Sequence, residues 1–145
     1  MALQPTYATS QARFIEGMIP DMRTPGQDVS RNVEPAAGIG FGKAVGQGTQ
    51  ERQIRAIATG QGTAFIGVTV LDPTQLQDSY PQYATARVRT KGPVVVQVSG
   101  AVAAGALAYV VPATGLFTST AAGNTPVGKF ETSAADGALA VLNLT

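Results

Sequence analysis

The chain has no histidine, no cysteine and no tryptophan. Without histidine a Ser-His-Asp nucleophile system cannot be assembled, and the commonest metal ligand and near-neutral acid-base group is missing. Without cysteine there is no disulfide framework and no thiol chemistry, so stability has to come from packing and oligomerisation. Charge is also scarce and uneven. Lys129, Glu131 and Asp136 are the only charged residues from Gly92 to Thr145, whereas sixteen stand in the first 91. The formal net charge of +1, from ten Lys and Arg against nine Asp and Glu, is too small for a binder that gains affinity by releasing counterions from several phosphates. Nucleic acid is therefore excluded as the expected partner. No apolar run approaches the roughly 18 residues that a membrane-spanning helix needs, and MALQPTYATSQARF lacks a basic stretch leading into an apolar one. No membrane partner, cofactor or metal is expected.

What remains is a chain of two unlike parts, with an extended arm over residues 1–35 and a β domain over 36–145. The arm carries Pro5, Pro20, Pro25 and Pro35 together with a small apolar cluster, Phe14, Ile15, Met18, Ile19 and Met22. Gly17 and Pro20 argue against a helix longer than about a turn and a half. A stretch that mixes apolar residues with Arg13, Arg23 and Arg31 and is too short to fold alone either gains order by lying on something else or frays. Arg13, Phe14, Ile15, Met18, Ile19, Met22 and Arg23 are accordingly candidate interface residues, on an arm separable from the domain.

From Ile39 onward the pattern is that of short strands. They fall at Ile39 to Val45, Gln53 to Ala58, Ala64 to Leu71, Tyr83 to Lys91, Val94 to Val98, Ala106 to Val111, Leu116 to Thr118, Val127 to Thr132 and Leu139 to Leu144. Turn signals such as Asp72-Pro73, Gly92-Pro93, Ser99-Gly100 and Gly123-Asn124 separate them. Nine strands with a turn every ten residues or so predict an all-β fold, an antiparallel sandwich or small barrel. Gly67 and Gly128 each interrupt an apolar strand, which marks a bulge or a close approach of neighbouring backbone.

Motifs for chemistry are few. Gly38-Ile39-Gly40-Phe41-Gly42-Lys43 resembles a phosphate loop only loosely, since Ala44 stands where the magnesium-binding hydroxyl belongs; close strand packing explains the glycines better. The acid pairs Asp72 with Asp78 and Glu131 with Asp136 sit in polar turns, as solvated carboxylates ordinarily do, so no catalytic residue is nominated. One stripe stands out. A period of two over Tyr83 to Lys91 puts Tyr83, Thr85, Arg87, Arg89 and Lys91 on one face and Ala84, Ala86 and Val88 on the other. Such a basic stripe either protects an exposed strand from aggregation or meets an acidic partner surface. Tyr83, Arg87, Arg89 and Lys91 join the candidate interface residues on the second reading.

The segment Glu34-Pro35-Ala36-Ala37-Gly38-Ile39-Gly40-Phe41-Gly42-Lys43-Ala44-Val45 behind a Pro-rich arm, then AFIGVTV, KGPVVVQVSGAVAAGALAYVV and TGLFTSTAAGNTPVGKFETSAADGALAVLNL, resembles the tailed-bacteriophage capsid decoration proteins called structural cement proteins. The resemblance covers most of residues 34–145. It implies a jelly-roll-like or tulip-like β domain that binds the outer surface of the capsid and clamps neighbouring major capsid subunits, stabilising the DNA-filled head. The implied partners are the major capsid protein and further copies of the chain, as a dimer or trimer; the implied location is the virion, after synthesis in the host bacterial cytoplasm. A carbohydrate-binding β-sandwich is the alternative from another class, and a hydrolase using two carboxylates a further one.

Overall fold

A computed structural model of the chain describes residues 14–23, 26–58 and 64–145. Among these there is no helix; eleven strands follow one another. They are β1 (Gln27–Val33), β2 (Ile39–Gly40), β3 (Ala44–Gln47), β4 (Gln53–Ala56), β5 (Phe65–Thr69), β6 (Ser79–Tyr80), β7 (Thr85–Gln97), β8 (Leu107–Val110), β9 (Phe117–Thr118), β10 (Thr125–Phe130) and β11 (Leu139–Leu144). Nine of them form one sheet in the order β1-β4-β3-β5-β7-β11-β10-β8-β9, and β1 pairs a second time with β7. The first five strands in that order therefore close into a small barrel. Beyond it β11, β10, β8 and β9 form a second half, which curls back through a parallel bridge between Phe117 and Val98, the residue after β7. The all-β expectation, a sandwich or small barrel, holds.

Strand β7 is the element common to both halves. Thr85 to Lys91 pair with β1, and Gly92 to Gln97 pair with β11. The turn expected at Gly92-Pro93 is not there: Gly92 stands opposite Leu144 and Pro93 opposite Asn143 within a continuous ladder. Two properties let the strand pass through. Gly92 adopts φ +102, which relieves the change of course at no side-chain cost. Val95 turns both its N–H and its C=O away from β11, and Pro93, two residues earlier, faces the same way, so its missing N–H takes nothing from the ladder.

The sequence expectation also missed β1, and one strand pair departs from the antiparallel rule. Gln27–Val33 reads as polar, yet Val33 is buried in the barrel core and Val29 packs against it, the inward positions of a strand whose other face is wet. β1 runs parallel to β4, with Asn32 opposite Gln53 and Val33 opposite Ile54. The arm boundary drawn at residue 35 thus encloses one strand of the barrel. A deletion of residues 1–30 would take four of the seven residues of that strand with it.

Two cores result. Val33, Ile39, Phe41, Val45, Ile54, Tyr80, Ala86 and Val88 fill the barrel, where Tyr80 meets Phe41 edge-on at 5.2 Å and its hydroxyl donates to Val70 O at 2.6 Å. Val94, Val96, Val110, Phe117, Phe130, Leu142 and their neighbours form the second core, and Ala44, Ile57 and Val68 from the barrel complete it. Adjacent residues Ala44 and Val45 thus serve opposite cores, so β3 is buried on both faces. Gly67 and Gly128 mark close approaches, as their place in the sequence suggests. A Cβ at Gly67 would stand 2.2 Å from Arg89 O, and one at Gly128 2.0 Å from Asn143 O.

Candidate docking surface

The arm is seated on its own domain by a turn at Ile15–Met18, where Met18 N donates to Ile15 O at 3.0 Å. Inside that turn, Gly17 N donates to Val95 O at 2.8 Å, Val95 N to Met18 O at 2.9 Å and Leu71 N to Gly17 O at 2.9 Å. One residue, Gly17, thereby touches both halves, the barrel at Leu71 and the second half at Val95. Only glycine fits there. Gly17 has φ +83, and a Cβ would lie 2.7 Å from Gly42 N and 2.9 Å from Phe41 Cβ. Glu16 Oε1 meets Lys43 Nζ at 2.6 Å beside it. At the other end of the arm Arg23 bridges Asp21 and Glu131, the latter on the second half. Val95 and Val141 oppose one another on the sheet face turned from the core, yet both are buried, at the place where the arm is hydrogen-bonded.

Pinned at Gly17 and Arg23, the arm leaves Met22 97% and Ile15 57% exposed, while Phe14, Met18 and Ile19 are half-buried. Ile19, Met22 and Arg23 line a groove of about 420 Å³ together with Arg87 and Arg89 of β7, Asp21 and Gly26. Five of the sequence-nominated residues thus converge. The others do not. Tyr83 precedes β7 in a left-handed turn, φ +64, exposed, with its N–H donating to Val33 O. Lys91 is exposed at the end of the charged run, opposite Gln27. Arg13 lies outside the described residues.

The basic stripe differs from its sequence expectation. Arg89 is 7% exposed, because Asp28, unseen while β1 was unrecognised, stands directly across the ladder. Arg89 Nε donates to Asp28 Oδ1 at 2.8 Å and its Nη1 to Pro93 O at 2.9 Å. Arg87 Nε donates to the other oxygen of Asp28 at 2.7 Å. Two guanidinium groups share one carboxylate, one buried and one half-exposed, so the stripe is part lock and part surface.

The acid pairs occupy turns. Asp72 accepts from Thr74 Oγ1 at 2.6 Å, Thr74 N at 2.9 Å and Gln75 Nε2 at 3.2 Å, and these bonds, the Thr74 hydroxyl foremost, hold its carboxyl below the usual carboxylate range. Asp136 accepts from Gly100 N, whereas Glu131 meets Arg23. Asp21 is held down to about 2, chiefly by the Arg23 side chain. Among the tyrosines, Tyr80 is buried, Tyr83 exposed and Tyr109 half-buried in the second half. Those three build no common platform for a sugar.

The structural cement protein model (E217 gp24/Pam3 gp6) matches residues 3–145. The chain belongs to the structural cement protein family. A chain of the solved structure "The capsid of Myoviridae Phage XM1" superposes with a TM-score of 0.71 at 15% identity, over 99% of this chain and 97% of that one, and so shares its fold. No curated protein matches the sequence. A cement protein is a structural component of the bacteriophage virion, so its working part is a surface. Sequence reasoning named five residues that line this groove but missed Asp28, Glu16, Lys43 and the role of Gly17. Asp28 was legible only through β1, and Gly17 only as a glycine where a helix was unwelcome.

Proposed function

We propose that this cement protein binds the outer surface of a bacteriophage capsid and clamps neighbouring major capsid subunits. Its work is then binding, with no reaction to catalyse. The observation that carries this reading is the pinned arm: a family member holds Ile15 and Met22 exposed on a segment fixed at Gly17 and Arg23. Apolar anchors already held in place forfeit little entropy when they dock. Anchors repeated over a closed lattice, and linked within a dimer or trimer of the chain, gain further from effective concentration. A shell under outward load from packed DNA is stabilised by each such bridge.

The test uses heads that lack the protein. Wild type should bind them and raise the temperature at which they release DNA. Ile15→Asp and Met22→Asp, which change exposed side chains, should melt like wild type yet bind at least tenfold more weakly, about 1.4 kcal/mol. Wild-type affinity in both variants would reject the arm as the contact; no binding by wild type would reject the capsid role.

A further inference from the structure

The loop from Asp72 to Ser79 carries a feature that the arm does not explain. Leu76 is fully exposed, in the polar run Gln75-Leu76-Gln77 between Asp72 and Asp78. An exposed leucine alone is ordinary; this one is held out by a loop fixed on both sides. On the first side the Asp72 carboxylate accepts the three bonds from Thr74 and Gln75, and Gln75 N donates to Asp72 O at 3.2 Å. On the second side Ser79 and Tyr80 pair with Gly40 and Ile39, and the Tyr80 hydroxyl is bonded to Val70 O. Leu76 also borders a hollow of about 410 Å³ with Thr74, Gln77 and Pro81. The charge around it is one-sided. Among the described residues Asp72 and Asp78 have no cationic partner, while Lys43 is engaged by Glu16.

We infer that this loop is a second docking element, with Leu76 as its anchor, and that its partner is a capsid-surface socket, apolar inside and rimmed by Lys or Arg side chains. The inference rests on the capsid reading above. Two carboxylates beside one apolar anchor would steer and orient the loop on a basic rim, while burial of Leu76 supplies the hold. A fixed loop pays little ordering entropy on binding.

Binding to protein-free heads tests it, with the oligomeric state measured alongside. Leu76→Asp should keep the melting temperature and oligomeric state of wild type and bind heads at least tenfold more weakly. Asp78→Lys should bind severalfold more weakly, with a shallower dependence of affinity on salt than wild type. Unchanged head binding by Leu76→Asp, while Met22→Asp is weakened, overturns this inference and leaves the capsid reading standing. A changed oligomeric state in Leu76→Asp overturns it too, since the loop then contacts a second copy. Failure of wild type to bind heads overturns both.

Discussion

The two halves that share β7 are closed in the same manner and sealed by different means. Each closes through a parallel contact, β1 with β4 in the barrel and Phe117 with Val98 in the second half. In each, one glycine lets a strand come against a neighbouring backbone, Gly67 against Arg89 and Gly128 against Asn143. Yet the barrel is held at the β1–β7 seam by Asp28 between Arg87 and Arg89, while the second half has only three charged residues and relies on apolar packing. Closure is thus a matter of backbone geometry that either chemistry can serve. The charged seal brings a liability that the apolar one lacks, because a buried guanidinium left without its carboxylate is costly.

Breaking the shared geometry should do the most damage, and equally in both halves. Gly67→Ala and Gly128→Ala each place a Cβ against a carbonyl oxygen that cannot move without opening a ladder. Each should cost more than about 4 kcal/mol, a loss associated with few kinds of substitution, and give little soluble protein. Chemical denaturation of whatever folds is the measurement; a normal midpoint for either variant would show that the strands can part locally. Breaking the seal should separate the halves. Asp28→Ala strands Arg89 and should cost about 3 kcal/mol, whereas Asp136→Ala, an exposed turn acceptor in the second half, should cost about 1 kcal/mol or less. Equal losses would show that the seam contributes no more than a surface bond.

The apolar half was the easier to read from sequence. Its strands alternate strongly and its turns carry Gly, so β8 to β11 fall close to where periodicity and punctuation put them. The charged half concealed β1, because Gln27, Asp28, Ser30, Arg31 and Asn32 give no strand signal and only Val29 and Val33 are apolar on its inward face. That omission propagated. With β1 unseen, Asp28 has no strand to stand on, Arg89 reads as surface, and an arm drawn to residue 35 takes in the whole of β1. The two-residue β6 was missed for a simpler reason, that it exists only because Ile39–Gly40 is there to pair with it. Of the candidate surface, composition picked out Met22 and Arg23. The pinning at Gly17 depends on Gly42, Leu71 and Val95, which only the tertiary fold brings together.

The arm joins the halves, and Gly17→Ala should release it. The strained φ and the contact with Gly42 N together should cost about 2 kcal/mol, less than a ladder glycine because the arm can lift away and leave both cores intact. Hydrogen exchange at Val95 N and Leu71 N, which the arm protects from either side, should rise together while the barrel amides stay slow. If only Leu71 N became exposed, the arm would have to be held on the second half independently, and Arg23 with Glu131 would be the group that holds it.

The smallest effect is expected where the arm meets the charged half by charge alone. Glu16 and Lys43 are 2.6 Å apart, with side chains 29% and 40% exposed, so water and salt screen them and their coupling should be about 0.5 kcal/mol or less. A double-mutant cycle of Glu16→Ala and Lys43→Ala isolates that coupling from the loss of each side chain. Raising the salt from 0.05 to 1 M should abolish it, because the Debye length then falls to about 3 Å. Gly17→Ala, whose effect is steric, should cost the same at both salts. A coupling above about 1.5 kcal/mol that survives in salt would mean that ionic contact, and not the fit of Gly17 against Gly42, seats the arm, and the charged half would then use its charges at both of its seams.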